Sequence, residues 1–239
     1  MCGRYTLRTP LTVLAERFLF DLGDLPADLG IRARFNIAPT QEIAAVRRPA
    51  AGSPRELALL HWGLIPSWAK DMKLAASMIN ARSETIAEKP AFRTALAKRR
   101  CLILSDGFYE WKKEGKQKIP YYFQLADGQP FAFAGLWERW RGGSAAASGH
   151  DSPPIESATI ITTAANELCR PFHERMPVIL DPSDYDRWLN PELTDTREIL
   201  PLLAPFPAHE MQTRPVNPRV NNVRNDDPGV LEVEAQLFA

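Results

Sequence analysis

The second residue, Cys2, would carry two nucleophiles if Met1 were removed: its thiol and a free α-amine. An α-amine has a pKa near ~7.7–8.0, so a sizeable part of it is neutral and nucleophilic at pH 7. An amine and a thiol on adjacent carbons can both attack one aldehyde. The amine condenses to a Schiff base, and the thiol then closes a five-membered ring. A small apolar residue near the start of a strand is the competing interpretation of Cys2.

A second group of candidates lies between residues 78 and 85. In an extended segment, Asn80 and Arg82 point to the same face, because side chains alternate along a strand. An amide beside a guanidinium suits an oxygen-rich ligand, with the arginine binding phosphate or carboxylate. The alternative is a strand edge that leads into a helix capped by Ser83.

Two further residues could transfer protons. Glu110 lies between Tyr109 and Trp111, and apolar walls would raise its pKa and allow it to donate or accept a proton. An outward-facing glutamate in an alternating strand is the alternative, and the commoner arrangement. His173 titrates near neutrality and shares a face with Arg175 if the segment is extended. A structural histidine with satisfied hydrogen bonds is the alternative.

The segment from Trp62 to Lys70 predicts an ordered aromatic loop. Trp62 and Trp68 bracket a glycine and a proline, and a cation follows them. Such loops stack on bases or wedge into nucleic acid. Tryptophans that fill the core are the alternative.

The composition is that of an ordinary soluble globular protein and excludes a disordered chain, a fibrous repeat and a coiled coil. Of 239 residues, 45% are hydrophobic and 24% charged. Lys plus Arg equals Asp plus Glu at 29, so any surface for nucleic acid must be locally basic. No apolar run of about 18 residues exists, so no membrane span is expected.

Cysteine usage gives a further expectation. The three cysteines, at 2, 101 and 169, are odd in number and widely spaced. This pattern predicts neither a disulfide framework nor a zinc site, and no cofactor is expected. No signal segment is apparent at the N-terminus, so we expect a reducing, cytoplasmic location.

The elements that position these residues are short, because 21 prolines interrupt the chain. Predicted helices are 9–20 with Thr9 as N-cap, 90–99, 181–190 and 194–203. Predicted strands are 61–64, 78–82, 101–104, 108–111, 120–125, 131–137 and 158–163, with a loop at 21–40 and a flexible insertion at 141–156. Together they predict one α+β domain over 1–239, built on a mostly antiparallel, barrel-like sheet with short peripheral helices.

Several segments in this order resemble the SRAP family (SOS response-associated peptidase, or abasic site processing protein). They are Met1–Tyr5, Asn36–Gln41, Trp62–Lys70, Asn80–Glu84, Asp106–Trp111, His173–Pro177 and Val216–Asp226. The resemblance spans nearly the whole chain.

The resemblance implies that the protein senses abasic sites in single-stranded DNA and joins to them in a thiazolidine cross-link that shields the lesion. It implies Cys2 as the nucleophile, Asn80 as a holder of the N-terminus or sugar, Glu110 as a proton shuttle and His173 as an aid to ring opening. It also implies peptidase chemistry, in removing Met1, and lyase chemistry. DNA contacts would be made by Arg4, Trp62, Trp68, Arg82 and Arg175, without metal or membrane, and a monomer would suffice.

Two alternatives remain at this stage. An N-terminal-cysteine amidohydrolase, such as a glutaminase domain, can also begin Met-Cys-Gly. A non-catalytic binder of single-stranded DNA would need no reactive Cys2, and its binding would be fully salt-sensitive.

Overall fold

Twelve strands and four short α-helices make up the regular structure in the computed structural model, which describes residues 2–23, 31–142 and 153–233. The strands are β1 (Tyr5–Leu7), β2 (Arg34–Ile37), β3 (Glu42–Arg47), β4 (Glu56–Trp62), β5 (Asn80–Arg82), β6 (Arg100–Ser105), β7 (Gly107–Glu114), β8 (Gln117–Leu125), β9 (Phe131–Trp140), β10 (Ile155–Ala164), β11 (Arg175–Pro177) and β12 (Met211–Pro215). The helices are α1 (Leu11–Phe18), α2 (Pro90–Lys98), α3 (Tyr185–Leu189) and α4 (Thr196–Ile199).

One sheet closes on itself as a barrel. Strands β10, β4, β3, β6 and β9 pair in that order, and β9 pairs back onto β10. All of these pairings are antiparallel except β4 with β10. Closure packs the interior tightly: a Cβ on Gly135 would lie 2.7 Å from Ile103 Cδ1. The prediction of an α+β fold on a barrel-like, mostly antiparallel sheet is confirmed.

The second sheet holds the N-terminal strand in its interior. Its order is β12-β8-β7-β1-β2, and all its pairings are antiparallel. Apolar residues of both sheets share one buried core. The N-terminal strand is therefore fixed on both sides, although chain termini usually fray.

Several predicted elements are confirmed and several boundaries are corrected. Helix α2, strand β6 and the β7–β8 hairpin lie where the sequence predicts them. The first helix begins at Leu11 instead of Thr9, because the Thr9 hydroxyl donates to Asp106 and does not cap the helix. Strand β2 lies within the predicted loop 21–40, of which 24–30 is outside the described residues. Residues 143–152 of the predicted insertion are also outside them, whereas Ile155 and Glu156 already belong to β10.

Asp106 fixes the end of β1. Its carboxylate, 3% exposed, accepts hydrogen bonds from the Thr6 hydroxyl, the Arg8 backbone N–H and both the N–H and hydroxyl of Thr9. One buried carboxylate thus satisfies several donors where the chain leaves the sheet.

No helix among the described residues is both long and apolar enough to cross a membrane.

We predict that Asp106→Ala lowers the free energy of unfolding by about 3 kcal/mol or more, since each buried donor left unpaired costs roughly 1–3 kcal/mol. Urea denaturation followed by circular dichroism measures the change. The exposed Glu167 provides a control, and Glu167→Ala should change stability by no more than about 0.5 kcal/mol. Equal effects of the two substitutions would contradict the role of Asp106.

Candidate active site

Cys2 is held at its backbone and at its side chain. Asn80 Nδ2 donates a 2.9 Å hydrogen bond to the Cys2 carbonyl, and the thiol donates to the Arg4 carbonyl at 4.0 Å. Asn80 begins β5, which pairs in parallel with β10 through Ile160. The barrel sheet therefore supplies the Asn80 side chain, and this side chain fixes Cys2, which precedes β1 of the second sheet.

Glu110 is the charged neighbour of the Cys2 thiol. It lies on β7, opposite Tyr121, and is only 7% exposed. Burial raises the pKa of the Cys2 thiol well above its ordinary value, and the negative charge of Glu110 raises it further. At neutral pH the thiol therefore keeps its proton, and its attack on an electrophile requires a base.

An open cavity of about 610 Å³ connects Glu110 with the solvent. Its lining residues are Glu110, Trp111, Lys113, Lys118, Phe172, His173 and Asn221. Glu110 lines this cavity and its charge also acts on Cys2, whose side chain is buried and is not part of the lining. Such open, partly polar clefts are typical binding sites.

His173 lies in the same cavity in a defined tautomer. Its Nδ1 accepts a 2.9 Å hydrogen bond from the Arg175 backbone N–H, so a neutral ring carries its proton on Nε2. The His173 backbone N–H donates to the Cys169 carbonyl at 3.1 Å. This local turn holds the imidazole and leaves Nε2–H as a donor.

Cys169 and Asn221 are neighbours of the site that the sequence analysis does not assign. Burial, and then the charge of Glu110, raise the pKa of the Cys169 thiol to about 12, so it is an inert neutral group at physiological pH. Asn221 accepts a 2.7 Å hydrogen bond from the indole N–H of Trp111. The signal for Asn221 in the sequence is its place in the segment Val216–Asp226, which carries part of the family resemblance.

The predicted DNA contacts differ in their exposure. Arg82 is exposed on β5, and the Trp68 side chain is 60% exposed. Arg4 is half-buried, and its Nη1 donates to Asn36 Oδ1 and to the Val220 carbonyl at 2.8 Å each. Arg82 and Trp68 are therefore on the surface, whereas Arg4 joins the segments of Asn36 and Val220.

Arg175 is bound to a carboxylate in this structure. Its two terminal nitrogens donate to the two oxygens of Glu84 at 3.0 and 2.9 Å, and it also donates to Thr162. The guanidinium holds the pKa of Glu84 below its usual range. A phosphate would have to share or displace this bidentate partner.

Trp62 is a core residue, which corrects its prediction as a DNA contact. Its side chain has no exposed surface and packs edge-on against Tyr5, with ring centroids 5.3 Å apart. The indole N–H donates to the Ile79 carbonyl at 3.0 Å. A ring enclosed in this way cannot stack on a base.

No group of three or more His, Cys, Asp or Glu side chains within the described residues is arranged to hold a metal ion.

The chain matches known proteins over nearly its whole length. The family model "SOS response associated peptidase (SRAP)" matches residues 1–223. "Abasic site processing protein YoaM" from Bacillus subtilis is 42% identical over 99% of this chain and 100% of that protein. "Abasic site processing protein YedK" from Escherichia coli is 30% identical over 97% of this chain and 99% of that protein.

Solved structures share the fold. A protein from Bacteroides thetaiotaomicron has a TM-score of 0.82 and 28% identity, covering 97% of this chain and 99% of its own. A protein from Bordetella bronchiseptica has a TM-score of 0.71 and 32% identity, covering 90% of this chain and 100% of its own. The architecture is therefore that of a known class of α+β proteins. The chain belongs to the SRAP family.

We predict that Glu110→Gln accelerates alkylation of Cys2 by iodoacetamide, because removal of the negative charge lowers the thiol pKa and increases the thiolate fraction. The pH profile of the alkylation rate should therefore shift to lower pH. Peptide mass spectrometry measures the rate. Cys101, buried in β6, serves as the internal reference, and an unchanged pH profile at Cys2 would refute the electrostatic coupling.

Proposed function

We propose that this protein captures abasic sites in single-stranded DNA by forming a thiazolidine between Cys2 and the open aldehyde of the sugar. Abasic site processing is the function named for its relatives. The observation that carries the proposal is the placement of Cys2: Asn80 binds its carbonyl, and Glu110 interacts with its thiol and faces the cavity. Removal of Met1 is required, since only a free α-amine can condense with an aldehyde.

The proposed chemistry proceeds in two bond-forming steps. The Cys2 amine adds to the aldehyde carbon, and loss of one water gives a protonated Schiff base. The sulfur then bonds to that carbon, the carbon–nitrogen double bond becomes single, and the thiol proton leaves to Glu110 as the sulfur attacks. A free ring amine remains, and the whole process releases one water. Because the thiol is protonated in the resting protein, attack by the amine precedes attack by the sulfur.

The other polar residues act on the proton transfers and on the geometry. Asn80 holds the Cys2 backbone through its carbonyl, and this limits the positions that the amine can take. Glu110 accepts the thiol proton. Nε2–H of His173 is the donor available for the ring oxygen when the sugar opens.

The DNA path is proposed from exposed cations and one aromatic side chain. Arg82 binds a phosphate beside the lesion, and Trp68 stacks on a neighbouring base. Arg4 and Arg175 contribute positive charge from half-buried positions, with Arg175 exchanging Glu84 for phosphate. A single protein chain provides all of these groups, so a monomer suffices.

Two further activities follow from the same groups. Met1 can be removed by a general aminopeptidase, since the second residue is small, or by the site itself, which would justify the peptidase name. A Schiff base at the sugar carbonyl acidifies the neighbouring C–H, which allows strand scission if the sulfur does not close the ring. Thiazolidine formation therefore shields the lesion by suppressing the lyase reaction.

We predict that Cys2→Ala abolishes the denaturant-resistant complex with an abasic oligonucleotide and leaves weak, salt-dependent binding. Intact mass spectrometry should show the wild-type adduct as protein without Met1 plus oligonucleotide minus one water. Borohydride treatment separates the products, since a Schiff base gains two hydrogens and a thiazolidine does not. Cys101→Ala removes a buried thiol elsewhere and is the matched control.

Other outcomes would identify the alternatives. An adduct formed by Cys2→Ala as efficiently as by wild type would place the nucleophile elsewhere. Binding that is unchanged and fully reversible in both proteins would indicate a non-catalytic single-strand binder. Ammonia release from glutamine, without an adduct, would indicate the amidohydrolase.

We predict that Arg82→Ala weakens binding to abasic single-stranded DNA by about 1.5–3 kcal/mol, roughly tenfold to a hundredfold in Kd, because a charge-assisted phosphate contact is lost. Fluorescence anisotropy at physiological salt measures the change. Arg93→Ala removes an exposed arginine from α2 and should bind as wild type does. If both variants lose the same affinity, Arg82 makes no specific contact.

A further inference from the structure

The β7–β8 hairpin carries an excess of positive charge beside the cavity. Its segment 112–118 contains four lysines and one glutamate, in a chain whose net charge is zero. The glutamate, Glu114, pairs with Lys112 at 2.9 Å. Lys113, Lys116 and Lys118 are exposed and have no ion-pair partner within the described part of the chain. The basic charge of this hairpin is therefore uncompensated.

Two of these lysines are held opposite each other. Lys113 and Lys118 are cross-strand partners in the hairpin register, and both line the cavity that contains Glu110 and His173. Like charges directly opposite on one face of a hairpin are destabilising. A bound anion between the two ammonium groups would remove that cost, so the register itself favours an anionic ligand at this position.

An aromatic ring extends the same surface toward the reactive groups. Trp111 is two residues before Lys113 and therefore on the same face of β7, and it also lines the cavity. Its indole is fixed by the hydrogen bond to Asn221. Cations that bind phosphates beside an aromatic ring that stacks on a base are the usual composition of a single-strand binding surface.

The distance along the strand fits a neighbouring nucleotide. Glu110 and Lys113 are three residues apart on β7, which corresponds to about 10 Å at roughly 3.3 Å per residue. The Lys113 backbone therefore lies further along β7 than a sugar held at Glu110 and Cys2. Its flexible side chain is well placed for a phosphate that flanks that sugar.

We propose that Lys113 and Lys118, with Trp111, bind the single-stranded DNA arm on one side of the captured sugar. The proposal rests on the function proposed above and adds the direction in which one arm leaves the site, over the β7–β8 hairpin. Phosphate oxygens are bound by the two ammonium groups, and an adjacent base lies against the indole.

The test uses the double variant Lys113→Gln/Lys118→Gln and an oligonucleotide with a tetrahydrofuran abasic analogue, which has no aldehyde. Kd is measured from low to high salt. Loss of two phosphate contacts should reduce the slope of log Kd against log salt by about 1.4 and weaken binding roughly tenfold at 0.15 M salt. Lys89→Gln/Lys98→Gln removes two exposed lysines around α2 and should leave both quantities unchanged.

Oligonucleotides that keep only the 5′ or only the 3′ flank locate the arm. The loss of affinity in the variant Lys113→Gln/Lys118→Gln should persist with one of these two oligonucleotides and disappear with the other. An equal deficit with both flanks, an equal deficit in the control pair, or no deficit would overturn the proposal. Failure of the wild type to cross-link abasic DNA, with the salt-dependent pattern retained, would instead overturn the function proposed for Cys2.

Discussion

The chemistry proposed for this protein depends on a fixed position for residue 2 of the chain, where free movement is the usual behaviour. Two constraints remove that freedom. Strand β1 pairs on both edges, with β2 and β7, and the Asn80 amide binds the Cys2 carbonyl from the other sheet. Because Asn80 belongs to β5, which pairs with the barrel strand β10, the position of Cys2 is set by the packing of the two sheets together.

Fixing the residue also sets the reactivity of its thiol. A cysteine that is buried beside a carboxylate forms little thiolate at neutral pH, since burial and the negative charge both raise the pKa of its thiol. That would be unsuitable in an enzyme that begins with sulfur attack. A raised thiol pKa suits the proposed order of steps, in which the amine reacts first. The thiol then stays neutral until an electrophilic carbon lies next to it, and Glu110 is proposed to take its proton at that stage.

The sequence predicts local features well and misses those set by distant partners. The turn residues and the apolar residues of the β7–β8 segment predict its hairpin, and Pro90 marks the start of α2. Strand β2 is missed because Asn36, a poor strand residue, is buried there by hydrogen bonds to the carbonyls of residues 220, 222 and 225. The choice between a core position and a DNA contact for Trp62 cannot be made from the sequence for the same reason, since its partners Tyr5 and Ile79 are distant in sequence.

A neutral net charge is compatible with DNA binding because arginines and lysines are used differently here. In the described structure, the carboxylates are paired mainly with arginines, as in Arg47–Glu56 and Arg99–Glu138, and the one lysine pair is Lys112–Glu114. The planar guanidinium suits bidentate structural pairs, whereas a hydrated ammonium on a long stem stays in solvent as a point charge. Pairing with arginine thus neutralises part of the negative charge, and lysines outside these pairs provide local positive potential where a polyanion can approach. The net charge averages these two populations, and for that reason it neither supports nor excludes binding of a nucleic acid.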